Sequence, residues 1–282
     1  MSVVATPAPA RHRRRWITLT VGAVLVGLVV AVALVSLFWT PYPASDTTGG
    51  RLESPTLSHL LGTDKLGLDL LTRLMIGARI ALAVGLGAVA LGGLVGVTAG
   101  VVAGFATRWL DDTIAALLDI LIAFPTLLLA MLVVAARGAS LSSAIVAIGL
   151  AMSAIVARLS RILVKRVLAQ DFITAARTSG TSWTRIVFEH VLPNIWPTLA
   201  VNLALQCGLA VLAEASLSYL GLGPPPPNAS WGRMLQEAQS TVLTAPAGAI
   251  APGVLLVLLV VGVNLVADGL REVTDSSRGV HG

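Results

Sequence analysis

Six stretches of mostly apolar residues, separated by short polar segments, decide what this chain can become. They run near Ile17 to Trp39, Ile80 to Phe105, Ile114 to Ala136, Leu141 to Val164, Ile195 to Leu220 and Ile250 to Ala267. About 20 apolar residues in a helix cross a hydrocarbon core roughly 30 Å thick. The chain is 56% hydrophobic and 12% charged, with a mean hydropathy of +0.87, well outside the range of soluble domains. The predicted fold class is therefore all-α, a polytopic membrane protein with about six transmembrane helices.

The run "RHRRR" precedes the first stretch, as in a secretory leader. Leader apolar regions span only about 7 to 15 residues, so an uncleaved anchor is expected. Trp16 and Trp39 bracket it like interfacial anchors, about 34 Å apart along a helix. A formal charge of +5 raises the question of nucleic acid. The basic residues cluster beside apolar runs rather than along one face, so membrane orientation explains them and no nucleic-acid partner is expected. Placing the amino terminus in the cytosol puts thirteen of the nineteen Lys and Arg residues inside, as the positive-inside rule requires.

That orientation divides the chain into a cytosolic tail 1–16, a first transmembrane helix 17–39 and an extracytoplasmic segment 40–79. A five-helix core follows over 80–270, with a cytosolic loop 165–194, an extracytoplasmic loop 221–249 and a cytosolic tail 271–282. The expected location is the cytoplasmic membrane of a prokaryote, with membrane lipid around the spans and both termini cytosolic.

Within the second stretch Gly92, Gly96, Gly100 and Gly104 recur every fourth residue. That gives one helix face nearly free of side chains, on which a second backbone can approach closely. A packing seam is expected, with a flexible gating helix as the alternative. Ionisable residues inside spans are functional candidates, because a charge at mid-bilayer costs at least about 2.5 kcal/mol. Asp119 lies within about 8 Å of the inner start of its span and Glu214 about 28 Å along its own; structural pairing or a gate position suits both better than a midplane proton relay. Asn202 and Gln206, one turn apart, line a polar path or bond between helices, the latter worth about 0.6 kcal/mol on average. Pro125 predicts a kink in the third span. Cys207, the single cysteine, allows no disulfide within the chain and reads as a small packing residue.

The segment "ITAARTSGTSWTRIVFEHVLPN", Ile173 to Asn194, is a polar interruption between two spans. Helix is expected over Gln170 to Ser179, with Phe172, Ala175, Ala176 and Ser179 forming a small-residue face. Gly180 stops it and Ser182 caps a second short helix. Trp183, Ile186, Val187, His190 and Val191 share one side of that helix, Pro193 ends it, and Arg177, Arg185 and Glu189 remain available to water or a partner. Either the pair rests on lipid or it fills a groove on a cytosolic protein.

The same segment resembles the EAA loop of ABC importer permeases: Glu-Ala-Ala, three residues, Gly, nine residues, Ile, any residue, Leu-Pro. Ala175, Ala176, Gly180, Leu192 and Pro193 match; Thr174 stands for the glutamate and His190 for the isoleucine. "GTDKLGLDLLTRLMIGAR", "LDILIAFPTLLLA", "EASLSYLGLGPPPPNASWGRML" and "NLVADGLRE" are similar to segments of the dipeptide, oligopeptide and nickel permeases of the second-partner type. The resemblance implies the type I ABC importer permease fold. It also implies a coupling role for Thr174, Ala175, Ala176, Gly180, Arg185, His190, Leu192 and Pro193. The partners it implies are a homologous permease, two cytosolic ABC ATPases and an extracytoplasmic solute-binding protein.

No G-x-x-x-x-G-K-[ST] loop surrounds Lys65 or Lys165, the two lysines, so a nucleotide cradle is absent. ATP and Mg are expected on partner subunits, with no cofactor on this chain. No H-E-x-x-H or C-x-x-C metal motif occurs among its residues, so no metal site is expected. Trp231, Met234, Leu235 and Ala238 predict a short helix at the outer interface, either docking a delivery protein or anchored by Trp231. The expected function is that of an ATP-driven importer permease for di- and oligopeptides, with nickel as the other substrate. An ATP-independent channel or secondary transporter would show inverted repeats or midplane charges, and a sensor would need a soluble output domain; the chain shows neither.

Overall fold

The computed structural model describes residues 10–278. The outermost parts of the expected tails, and His281 with them, lie outside that range. Apart from one isolated bridge between Thr63 and Asp69, regular structure among the described residues is helical. The helices are α1 Ala10–Phe38, α2 Leu70–Phe105, α3 Arg108–Ala123, α4 Thr126–Arg137, α5 Leu141–Leu168, α6 Asp171–Thr178, α7 Trp183–Ile186, α8 Leu192–Tyr219, α9 Trp231–Ala238 and α10 Ala247–Arg278. A π-helical turn, Val187–Val191, joins α7 to α8. Five helical segments are long and apolar enough to cross a membrane, and α3 with α4 brings the number to six if that bent pair is one span.

The third span is where the expected kink proves too mild. α3 and α4 meet at 88°, a break rather than a bend. Its cause is local: Pro125 has no N–H to donate to the turn before it, and its ring pushes the preceding residue out of helical space. Phe124 accordingly sits at φ −75°, ψ 132°. The second span also starts earlier than its apolar run, at Leu70 instead of Ile80, because Asp69 caps the helix by accepting from the Thr72 amide at 2.8 Å. Thirty-six residues give α2 a length of about 54 Å, well beyond a bilayer core.

α2 and α5 run in the same direction in close contact, and α1 lies antiparallel to α10. The bundle thus has two ends. The cap end carries residues 40–69, the 221–230 loop and α9; the hairpin end carries residues 165–194 and the α2–α3 connection. Between them the core is built from small and branched residues: Ala88, Ala130, Val134, Ala144, Ala147 and Ile148 are all fully enclosed. In lipid such packing is held by dispersion rather than by exclusion from water.

Gly92, Gly96, Gly100 and Gly104 lie along the α2–α5 contact. A methyl group added at Gly100 would stand 2.4 Å from Ser160 Cβ and 2.6 Å from the Ala157 carbonyl; at Gly104 it would stand 2.4 Å from Val164. Only glycine lets these two backbones meet at that spacing. Cys207 lies against another glycine, Gly85.

Candidate functional site

The hairpin is assembled by three local devices. α6 ends at Gly180, whose φ of +84° only glycine adopts without strain. Its amide donates to the Arg177 carbonyl at 3.0 Å. Ser182 then caps α7, its hydroxyl accepting from the Arg185 amide at 3.4 Å. Ile173 from α6, Ile186 from α7 and Val191 are buried together with Leu163, Val164, Ile195 and Leu199, so the hairpin is rooted in the bundle.

The buried side of α6 is Ile173, not the small-residue face. Phe172, Ala175 and Ser179 remain exposed and Ala176 half-buried. Thr174 and Pro193 also face outward, while His190 and Leu192 are half-buried. The His190 ring meets Phe172 edge-on at 6.0 Å. Arg185 pairs with Glu189 at 2.8 Å, both well exposed, and the glutamate holds the guanidinium above its ordinary pKa. Arg177 is not free: its guanidinium lies 4.0 Å over the Trp183 ring and donates to the Thr181 carbonyl at 2.9 Å. Trp183 in turn meets Phe105, the last residue of α2, edge-on at 5.5 Å.

Pro193 does not end the second helix. The backbone remains helical from Trp183 to Tyr219, and the proline is absorbed by the π turn before it. There the Leu192 amide reaches the Val187 carbonyl, five residues back. A wider turn accommodates a proline ring that would strike the carbonyl four residues earlier. The Asn194 side chain donates to the His190 carbonyl at 2.7 Å. The hairpin's second arm and the fifth span are therefore one rod.

The four candidate pathway residues do not share one lining. Gln206 is buried and borders a cavity of about 240 Å³ between α4, α5 and α8, together with Thr126, Met152, Leu209 and Ser216. Asn202, one turn away, has its Oδ1 enclosed without a partner. Asp119 is exposed and pairs with Arg158 at 3.1 Å. Glu214 is 2% exposed at the cap end, where it accepts from the Ser218 hydroxyl at 2.6 Å and from Ser230.

The cap contains the residues that sequence reasoning missed. Arg73, in the first turn of α2, is 7% exposed. Its Nη1 holds Asp64 of the loop and stands 2.6 Å from Glu237 of α9. Burial pushes the Glu237 carboxyl up, but Arg73 and then Arg233 outweigh it and keep the group below the usual glutamate range. Asp64 also accepts from the Leu66 and Leu68 amides at 2.7 and 3.0 Å. Asp69 meets His59 Nδ1 at 3.0 Å, and the imidazole stacks at 4.8 Å on Tyr42. Gly62, Thr63, Asp64, Gly67, Asp69 and Arg73 lie in the string "GTDKLGLDLLTRLMIGAR", which the sequence offers only as a resemblance and with no role for its charges. Its signal was the density of turn and charged residues immediately before an apolar run; its partners in α9 were beyond reach of sequence.

Trp231 is not an interfacial anchor. It is 1% exposed, its Nε1 donates to the Leu74 carbonyl at 3.0 Å, 157 residues away, and its ring covers Gly77, where a Cβ would stand 2.4 Å from Cδ1. Met234 and Ala238 are buried beside it, so α9 packs inward on protein.

Residues 96–279 match the family described as binding-protein-dependent transport system inner membrane component. The chain is 37% identical over 256 residues to a dipeptide transport system permease protein of Alkalihalophilus pseudofirmus, spanning 90% of this chain and 84% of that one. It is 39% identical over 262 residues to a glutathione transport system permease protein of Pectobacterium atrosepticum, spanning 90% and 86%. With the corresponding protein of Salmonella typhimurium it shares 38% over 270 residues, spanning 94% and 88%. A multi-helix membrane bundle with a rooted hairpin, matched over most of its length by such relatives, belongs to the binding-protein-dependent transport system inner membrane component family: it is an ABC importer permease, a transport subunit rather than an enzyme.

Proposed function

We propose that this permease forms half of the translocation path of an ATP-driven importer for di- and oligopeptides. A homologous permease forms the other half. The hairpin end lies in the cytosol with both termini and docks one of two ABC ATPase subunits, which hold ATP and Mg. The cap end faces outward, where a solute-binding protein delivers cargo.

One observation carries this reading. The hairpin exposes Phe172, Ala175 and Ser179 on a helix whose opposite side, Ile173, is locked into the core, and its second arm continues without interruption into α8. A small-residue face of this kind accepts a groove-bearing partner, and a displacement there moves a membrane span as a rigid body. Thr174, Ala175, Ala176 and Gly180 belong to that docking surface, with Arg185, His190, Leu192 and Pro193 along the second arm. The cavity beside Gln206 is the wall we assign to the path; the α2 glycines keep α2 and α5 moving together. The relatives' names, dipeptide and glutathione transport permeases, support peptide cargo.

The decisive experiment is reconstitution. This chain is co-purified with the homologous permease and candidate ATPases, placed in lipid vesicles with the binding protein, and offered labelled dipeptides, oligopeptides and nickel. ATP-dependent peptide accumulation is expected. Accumulation of nickel alone, or peptide flux without ATP, overturns the assignment.

A further inference from the structure

The first turn of α3 and the end of α5 share an ion cluster that the docking hairpin does not use. α3 is only lightly held: of its sixteen residues, Asp111 and Leu118 alone are buried, and Leu118 rests on Ala154 and Ala157 of α5. Ile114 and Ile122 are half-buried beside it, while Trp109, Leu117, Ile120 and Leu121 are exposed, and the 88° break sets α3 off from the direction of α4.

What holds α3 at its start is Asp111. This carboxylate, 5% exposed, is gripped as a fork by Arg161, Nε to Oδ1 at 2.5 Å and Nη2 to Oδ2 at 2.8 Å. Lys165 closes on Oδ2 as well. A two-point guanidinium contact fixes orientation as well as distance. Asp111 sits in the first turn of α3, where the helix dipole favours an anion. Its neighbour Asp112 is exposed. The second ion pair between these helices, Asp119 with Arg158, has more than half of both side chains in the open, and such pairs contribute little.

The position of the grip matters as much as its strength. Lys165 and Arg161 occupy the last two turns of α5, and two residues, Ala169 and Gln170, separate that helix from α6 of the hairpin. We propose that Asp111 is a positioning residue of the transport cycle. It latches the inner half of the broken span to the end of α5 that bears the docking hairpin, so that a displacement of the hairpin is delivered to α3 and to the break beyond it, where Thr126 lines the cavity assigned to the path. This inference rests on the importer reading above.

The test uses the complete importer in lipid vesicles and compares ATP hydrolysed with tritiated dileucine accumulated. Asp111→Asn keeps the shape and removes the charge. Expected are membrane abundance and ATP hydrolysis within about twofold of the parent and a drop of tenfold or more in peptide moved per ATP. Asp111→Glu restores most of it, and Asp112→Asn leaves the ratio unchanged. Arg161→Gln lowers the ratio less than Asp111→Asn does, because Lys165 still holds the carboxylate, and the double variant falls no further than Asp111→Asn alone, since without the carboxylate neither cation has its partner. An unchanged ratio in Asp111→Asn, or hydrolysis and uptake falling in proportion, overturns the latch. Should Asp111→Asn fail to reach the membrane, Arg161→Gln and Lys165→Gln, each leaving one cation on Asp111, decide the matter by the same ratio. Absence of dileucine uptake by the parent complex would instead defeat the importer reading itself.

Discussion

At the cap end, Arg73 is 7% exposed and bridges carboxylates from two distant segments. At the hairpin end, Arg185 has 66% of its side chain exposed and pairs with the glutamate four residues on. The cap buries Arg73, Asp64 and Asp69, caps its helix through Asp69 and closes Trp231 over Gly77. The hairpin leaves its ion pair and its small-residue face in the open. Buried charge networks fix one arrangement, because losing a partner strands the other in a poor solvent; exposed pairs hold nothing firmly. The difference separates a part built to keep its shape from a part that, on the reading proposed above, is covered by another protein.

The largest effect expected from this contrast is at Arg73. Arg73→Ala leaves Asp64 enclosed without its cation and Glu237 with Arg233 alone, at a cost of about 3 kcal/mol. Thermal unfolding of the purified permease should show α9 detaching well below the parent's transition. A cap that survives this change unaltered is not held by its ion network. At the hairpin, Gly180→Val forces a branched side chain to a φ of +84°, costing roughly 1–2 kcal/mol. Nothing lies within 4 Å of the added Cβ, so membrane abundance should persist while ATP-driven uptake falls severalfold; normal uptake would remove the hairpin from the coupling role.

A smaller effect follows from Glu237. Its folded-state pKa lies below the ordinary 4.5, so its contribution is complete above that value and disappears as pH falls through the folded pKa. Hydrogen exchange of the α9 amides should therefore accelerate only below pH 4.5, while the hairpin amides show no such step. The smallest effect is at Arg185→Ala, which removes a solvent-bathed pair and should leave the melting temperature within error.

Sequence reasoning found what depends on period and length. The apolar runs, the glycine row and the Gly180 stop rest on neighbours within one turn, and the chain shows them directly. It misjudged Pro125 and Pro193, because a proline dictates that a helix is disturbed but not how the disturbance is resolved. One became an 88° break and the other was absorbed by a π turn. It left the Trp231 helix at the outer interface, either docking a delivery protein or anchored by its indole, because only the Leu74 carbonyl opposite that indole reveals that it is buried against α2. The Arg73 and Asp111 clusters join residues up to 164 and 54 positions apart; no local pattern announces such pairings.

α2 has no proline in its interior and touches both regions, with Arg73 clamped at one extremity and Phe105 against Trp183 at the other. About 48 Å of helix lies between them. A pivot of about 5° at the clamp sweeps the far aromatic pair through roughly 4 Å by simple leverage on that length. On the importer reading proposed above, a delivery protein settling on the outside need not reach across the bilayer to be felt beneath it, because the single helix α2 already spans the distance.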